Sequence, residues 1–492
     1  MNLKNCEQSR RAMATSRRQI GQRVWPRVGR SSCAWLTRFL FCLLMLIGAS
    51  SSPFAQQLAP SIPRVARASE TAALAPLLKN HFRRAVFPDI SAELSNVEHL
   101  SAANNGLLIE TPDGRVVKEL GAHRFFNPAS TTKLATALVA LKNLGPRFRF
   151  ATTVWTNGQF DSQTGIIHGD LFVAGRDPAL HDEHVVMIAQ ELNRLGITTV
   201  TGDLYVPSGF SLNFDSSALR AGDRFYDTLD ATLRSPAAAR AWQQQRSNFT
   251  GIATATKTNQ PSVAVMGDVL LGAPATGART LLTHSSSTLT DILKVILCYS
   301  NNFMADRLGD ALGGSRGIER SLVRQFGVRA EEVKIASASG LGSGRVTPRA
   351  MMKIYRALLA ELEKNKLSPS DIMPVAGVDL GTLQKRFTAA PSRASVIAKT
   401  GTLPRTDGGV CTLVGQVRAR NGETLVFVIF NQRGNVLRFR QQQDALLTAL
   451  QHQRGGPAPF AYQAVQLAAQ LGGTQLVPGK QADLAGYEPS FK

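Results

Sequence analysis

Apolar positions change their spacing several times along this chain, and each change marks an expected element. Gly106–Thr111 and Arg115–Leu120 flank Pro112-Asp113-Gly114, which predicts a hairpin of two strands. Leu134, Leu138 and Leu141 recur at helical spacing; Asn127-Pro128 supplies an N-cap and a first-position proline, and Gly145-Pro146 a stop. Ser130 is therefore expected in the first turn of a buried helix. From Phe148 to about residue 280 the pattern shifts to short alternating runs such as Phe150–Thr156 and Ile166–Ala174, broken by Asn157-Gly158, Thr164-Gly165 and Asp177-Pro178. Asp182–Leu195 reads as a helix within this β-rich stretch, and Asp223–Ser247 as helix or mobile loop.

Helical spacing returns over Thr288–Leu312 through Leu289, Ile292, Leu293, Ile296 and Leu297, and again over Arg349–Glu363. Three strands are expected at Ala394–Thr402, Val410–Arg420 and Thr424–Phe430, then a helix at Gln441–Gln451. Helices against a mainly antiparallel sheet built from both ends of the chain make an α+β fold with a β-rich insertion. The boundaries read as 56–150 and 281–455 for the two parts of the main domain, 151–280 for the insertion and 456–492 for a tail carrying an amphipathic segment, Tyr462–Leu471. A further helical stretch, Ala72–Phe87, precedes the hairpin.

The first 55 residues read differently. Nine positive charges and a single acid, Glu7, occupy the first 38 positions, followed by the apolar run Phe39–Ile47, small residues from Gly48 to Ser52, and Pro53-Phe54-Ala55. Basic, apolar, then small is the order of a secretory signal peptide, with cleavage expected after Ala55. The apolar run is half of what a membrane span needs, so no permanent span is expected after cleavage, and the mature protein is placed in the periplasm or cell envelope. The formal charge of +21 falls to about +13 without the leader. A basic surface of that size suits an anionic partner. With 43% hydrophobic and 18% charged residues among 492, the chain is ordinary globular protein, which excludes general disorder. Cys6, Cys33 and Cys42 go with the leader; Cys298 and Cys411 remain, either paired or as two buried thiols. No Cys/His cluster has metal-ligand spacing, so no metal is expected.

Three short strings then carry the chemistry: Ser130-Thr131-Thr132-Lys133, Ser300-Asn301-Asn302 and Lys399-Thr400-Gly401-Thr402. Residues three apart share a helix face, so Lys133 can set its amine beside the Ser130 hydroxyl, and burial would disfavour the ammonium and make it a base. Taken alone, S-x-x-K more often marks an incidental surface lysine. Ser300-Asn301-Asn302 interrupts an apolar helical pattern, as a loop that relays a proton through Ser300 and grips substrate with Asn302 would, although a simple helix break is the blander reading. Lys399 to Thr402 follows Val396-Ile397-Ala398 in a strand. The strand edge would offer backbone N–H groups to an extended peptide, Gly401 would permit close approach, and Lys399, Thr400 and Thr402 would hold a carboxylate. The N–H groups of Ser130 and Thr402 would hold an oxyanion. The three strings in this order, behind an export signal, point to one serine acyl-transfer site.

The strings and their surroundings resemble the serine D-alanyl-D-alanine carboxypeptidase/endopeptidases, the class C low-molecular-mass penicillin-binding proteins. Asn127-Pro128-Ala129-Ser130-Thr131-Thr132-Lys133-Leu134, Ser300 to Ala305, Ser339-Gly340-Leu341 with Thr347-Pro348-Arg349, Pro374 to Asp379 with Gly381-Thr382-Leu383 and Arg386, and Ala398 to Leu403 all resemble segments of that family. The likeness spans about residues 70–452, including a long insertion between the first two strings. It departs at Ser337 and Gly342, where the family has an acidic residue and a second serine. The resemblance implies a penicilloyl-serine transferase (β-lactamase-like) catalytic domain and cleavage of peptidoglycan stem peptides through an acyl-enzyme on Ser130. Lys133, Ser300, Asn302 and Lys399 would assist, and Thr400, Gly401 and Thr402 would bind substrate. β-Lactam antibiotics would be further ligands, with no cofactor, no metal and no nucleic acid. The alternatives are a serine β-lactamase, for which so large an insertion is superfluous, and a catalytically silent wall-binding or sensor protein.

Overall fold

The strands expected near the C-terminus are apolar at almost every position because both faces of their sheet are covered. The computed structural model describes residues 101–250, 260–467 and 471–479. The leader, the linker and the helix expected at 72–87 lie outside them, as do positions 468–470 of the amphipathic segment 462–471.

The chain opens with the hairpin β1 (Asn105–Glu110) and β2 (Val116–Leu120), followed by a single 3-10 turn (Ala129–Thr131) and helix α1 (Thr132–Leu144). Next come β3 (Ala151–Thr156), β4 (Gln159–Asp161), β5 (Ile166–His168), β6 (Leu171–Gly175), α2 (Asp182–Arg194), β7 (Thr199–Val200) and β8 (Leu204–Val206). Helices α3 (Ala218–Leu229) and α4 (Pro236–Thr250) lead to β9 (Ala264–Val265), β10 (Val269–Leu271) and β11 (Arg279–Ser285). Then follow α5 (Leu289–Tyr299), α6 (Asn302–Asp310), α7 (Gly314–Phe326), β12 (Val333–Lys334), β13 (Arg345–Val346), α8 (Pro348–Lys364) and the short α9 (Pro369–Ile372). Strands β14 (Val396–Leu403), β15 (Val410–Arg418) and β16 (Thr424–Gln432), helix α10 (Val436–His452) and β17 (Gln475–Pro478) complete it.

The main sheet has the order β14-β15-β16-β1-β2 and is antiparallel throughout, so its first and last strands in chain order meet at the β1–β16 pairing. Period-two alternation divides its side chains cleanly. Leu108, Ile397, Val414, Val428 and Phe430 enter the core formed with α1, α5 and α8. Leu107, Ile109, Ala398, Leu413, Phe427 and Ile429 pack instead against Leu446, Leu447 and Leu450 of α10. The stretch after Phe148 builds a second core around Val154, Val173, Val185, Leu204 and Phe225, under a six-stranded sheet, β10-β8-β6-β3-β11-β17, and a four-stranded one, β4-β5-β7-β9. Strand β17 brings residues of the tail into the six-stranded sheet beside β11.

Several expectations about single elements are corrected. The run Ile166–Ala174 is two strands, because Gly169 (φ +153°) sits against Gly158 and turns the chain from one sheet to another. Asp223–Ser247 belongs to two helices, separated where Pro236 starts the second. The break expected at Ser300 within 288–312 is present: its φ of +56° ends α5, and Asn301 caps α6 by accepting the Met304 N–H. The closing helix begins at Val436, because the Asn435 side chain caps it five residues earlier than apolar spacing indicated. Finally, α1 starts at Thr132, about one turn later than Asn127-Pro128 implied: the 3-10 turn intervenes, with Ala129 in the left-handed region at φ +47°. Cys298 and Cys411 are buried free thiols.

Candidate active site

Ser130 lies in the 3-10 turn that leads into α1, where N–H groups have no partner within the helix. Its turn is held from three directions. Asn127 accepts the Ala129 N–H at 3.0 Å and donates to Asp407 Oδ2 at 2.8 Å and to the Gly342 carbonyl at 3.0 Å. The Pro128 carbonyl accepts the Thr412 hydroxyl of β15 at 3.0 Å. Gly340, at φ +83°, lies so close that a Cβ there would stand 1.9 Å from the Ala129 carbonyl oxygen. No other residue fits that place.

Lys133 follows one turn later and is 1% exposed. Its Nζ stands 3.1 Å from Ser130 Oγ, 2.7 Å from Asn302 Oδ1 and 2.6 Å from the Ser339 carbonyl. Two of these neighbours can only accept, and the third is a hydroxyl that can donate. A neutral amine satisfies all three: two N–H groups go to the oxygens of Asn302 and Ser339, and the lone pair faces the Ser130 proton. Burial favours the neutral form, lowering Lys133 to about 7 against a smaller opposing pull from Asp306. Asp306 itself accepts the Ser339 N–H at 2.8 Å.

Asn302 directs its oxygen at Lys133, which leaves its amide N–H groups for a ligand. Ser300 Oγ accepts from Lys399 Nζ at 2.8 Å, and Lys399 also donates to the Thr400 carbonyl at 2.7 Å. Lys399 is fully buried, and burial, then the nearby Lys133, pushes it well below the ordinary lysine value. The three strings thus form two clusters within electrostatic reach of each other: Ser130, Lys133 and Asn302 in one, Ser300, Lys399 and Thr400 in the other.

β14 is an edge strand. The segment Pro374–Ala376 covers its first half, with Ala376 N–H donating to the Val396 carbonyl and Ala398 N–H to the Pro374 carbonyl. Even-numbered residues therefore turn their backbone groups outward, and beyond Ala398 the same alternation presents Thr400 and Thr402 on an edge with no strand paired to it among the described residues. Gly401 has a different reason for being glycine than the close approach of a ligand. A Cβ there would meet Thr412 Oγ1 at 2.1 Å, Ala129 Cβ at 3.0 Å and the Pro128 carbonyl at 3.0 Å, so it lets the strand lie against the serine turn.

Sequence reasoning missed Asp306, Asp407 with its ion-paired Arg345 at 2.8 Å, and Arg440, which donates to Thr402 Oγ1 at 3.3 Å. Asp306 had a local signal: it stands four residues after Asn302, on the same helix face. Asp407 lies in the turn between β14 and β15 and Arg440 on α10, and neither stands at a spacing that ties it to the strings.

A family model for D-Ala-D-Ala carboxypeptidase 3 (S13) matches residues 87–241 and 229–452. D-alanyl-D-alanine carboxypeptidase DacB of Haemophilus influenzae is 24% identical over 443 residues, covering 72% of this chain and 90% of that protein. The D-alanyl-D-alanine carboxypeptidase of Actinomadura sp. is 26% identical over 468 residues, covering 75% and 85%. Among solved structures, a predatory endopeptidase of Bdellovibrio bacteriovorus superposes with a TM-score of 0.61 at 23% identity, covering 74% of this chain and 96% of that one, and a penicillin G acylated form of it is also known. With the family model spanning most of its length, this chain belongs to the D-Ala-D-Ala carboxypeptidase 3 (S13) family of serine peptidases.

Proposed function

We propose that Ser130 is the nucleophile of a D-Ala-D-Ala carboxypeptidase/endopeptidase acting on peptidoglycan stem peptides in the periplasm or cell envelope. The observation that carries this reading is the amine of the buried Lys133 standing 3.1 Å from the Ser130 hydroxyl with neutral oxygens as its other partners. Ser130 Oγ attacks the carbonyl of the penultimate D-Ala while its proton passes to Lys133. The N–H groups of Ser130 and Thr402 receive the oxyanion. As the C–N bond breaks, the Ser300 hydroxyl, held by Lys399, protonates the departing amine and regains a proton from the Lys133 side of the network. Water, deprotonated by Lys133, then cleaves the ester and frees Ser130. The Asn302 amide and the open edge at Thr400, Gly401 and Thr402 align the peptide as an added strand.

β-Lactams enter the same path as substrates that stall at the ester, as penicillin G does on the Bdellovibrio relative. No helix among the described residues is long and apolar enough to cross a membrane. Export rests on the leader alone. Residues 56–150 and 281–455 are assigned as the catalytic unit and 151–280 as its insertion, a division supported by the two separate apolar cores.

Digestion of defined cross-linked and uncross-linked muropeptides tests the reading. Release of D-Ala or scission of cross-links by the wild type, a stable penicilloyl adduct on Ser130 by mass spectrometry, and loss of both in Ser130→Ala are expected. Rapid penicillin turnover without muropeptide cleavage would replace it with a β-lactamase.

A further inference from the structure

The carboxylate next to the scissile amide needs a cation, and the lysine of the third string is badly placed to be it. Lys399 is buried, points to the α1 side of the sheet and spends its N–H groups on Ser300 and Thr400. The hydroxyls of Thr400 and Thr402 lie on the other face, where Ala398 packs against α10. On that face an exposed guanidinium is waiting: Arg440 of α10 donates through Nη2 to Thr402 Oγ1 at 3.3 Å. Its neighbours leave its charge unanswered. Asp444, one turn further on, holds Arg386 at 2.9 Å, Asp407 holds Arg345, and no carboxylate among the described residues pairs with Arg440.

We propose that Arg440 is a specificity-determining residue that binds the carboxylate flanking the scissile amide, together with the Thr402 hydroxyl. The inference rests on the reading of Ser130 as nucleophile. Three bonds separate the reacting carbonyl carbon from that carboxylate carbon, a span of under about 4 Å. With the carbonyl oxygen at the Thr402 N–H, the carboxylate therefore falls beside the side chain of the same residue. A guanidinium there meets it with a two-pronged contact that an amide-terminated peptide cannot answer. Both a terminal D-Ala and a cross-link whose acceptor carries a free α-carboxylate satisfy it. A peptide amidated at that position does not.

The test compares wild type, Arg440→Gln and Arg440→Lys on an acyl-D-Ala-D-Ala peptide and on the same peptide ending in a carboxamide, with penicillin acylation measured alongside. Arg440→Gln is expected to lower kcat/KM on the free acid by about 10- to 100-fold, the worth of a hydrogen bond to a charged group, and to leave the carboxamide rate unchanged. Arg440→Lys is expected to fall between. Equal loss on both peptides, or loss on neither, would overturn the assignment while leaving Ser130 in place. A wild type inert to peptide and penicillin alike would instead remove the reading of Ser130, and Arg440 with it.

Discussion

Two lysines are buried among the helices of the same apolar cluster, and they differ in what their amines meet. Lys294 of α5 donates to Asp379 Oδ2 at 2.7 Å and to the carbonyls of Ser370 and Met373 at 2.8 Å each. Asp379 also accepts the Val375 N–H and the Tyr462 hydroxyl at 2.6 Å, so the pair pins the segment that covers the first half of β14. Lys133 of α1 is equally enclosed but faces neutral oxygens, and the acid in its neighbourhood, Asp306, is turned to a backbone N–H. Burial alone does not make a lysine a base. Withholding the counter-charge does.

Breaking each lysine should therefore damage a different property. Ser130→Ala is expected to abolish acylation, and Lys133→Met to slow it by about 10²- to 10⁴-fold, the usual contribution of a positioned general base, in protein that still melts cooperatively. Lys294→Met is expected to cost about 3–5 kcal/mol of stability by leaving Asp379 buried without its partner. Denaturant unfolding of both variants checks the contrast. A Lys133→Met protein that loses stability as severely as Lys294→Met would mean that both are structural. Removing the Asp379 charge as well, in Lys294→Met/Asp379→Leu, should restore only part of the loss, since Tyr462 and the Val375 N–H then lack their acceptor.

The contrast sharpens with pH. Lys133 is pushed down to about 7 by burial, so below that value it carries the proton it must accept, and above it the amine is free. The second-order rate of β-lactam acylation should rise with pH through about 7 and level off above it, reporting the free enzyme. Stopped-flow acylation with a chromogenic cephalosporin reads this directly. A flat profile between pH 5 and 9, or one whose midpoint lies near an ordinary lysine, would show that Lys133 is not the base.

What the sequence could disclose follows the same division. Lys133 was legible because its partner, Ser130, lies three residues away on one helix face, and because Leu134, Leu138 and Leu141 announce a buried helix. The break at Ser300 was legible from polar residues in an apolar pattern, and the paired strands from their unbroken apolar runs. Lys294 sits in a still more apolar context, yet nothing nearby marks it, because Asp379 is 85 residues distant. A separation of 280 residues hid Asp407 beneath Asn127, which read as a plain helix cap. The actual reason for Gly401 lay in a contact with Ala129 and Thr412 that only the folded chain makes. Local periodicity reveals which face is buried, and leaves unsaid what the buried face meets.

The smallest expected effect probes the withheld counter-charge itself. Asp306 exerts a Coulombic pull that raises Lys133, against the larger effect of burial. Asp306→Asn keeps an oxygen for the Ser339 N–H, so the carbonyl that receives Lys133 should stay in position while the negative charge disappears. The ammonium then loses its remaining support, the free amine persists to lower pH, and the acid limb of the acylation profile should move downward by a fraction of a unit with the plateau rate little changed. An upward move would mean that Asp306 holds the amine neutral. An unmoved limb with a reduced plateau would mean that it serves only to place the Ser339 loop, and the charge around Lys133 would then be set by burial alone.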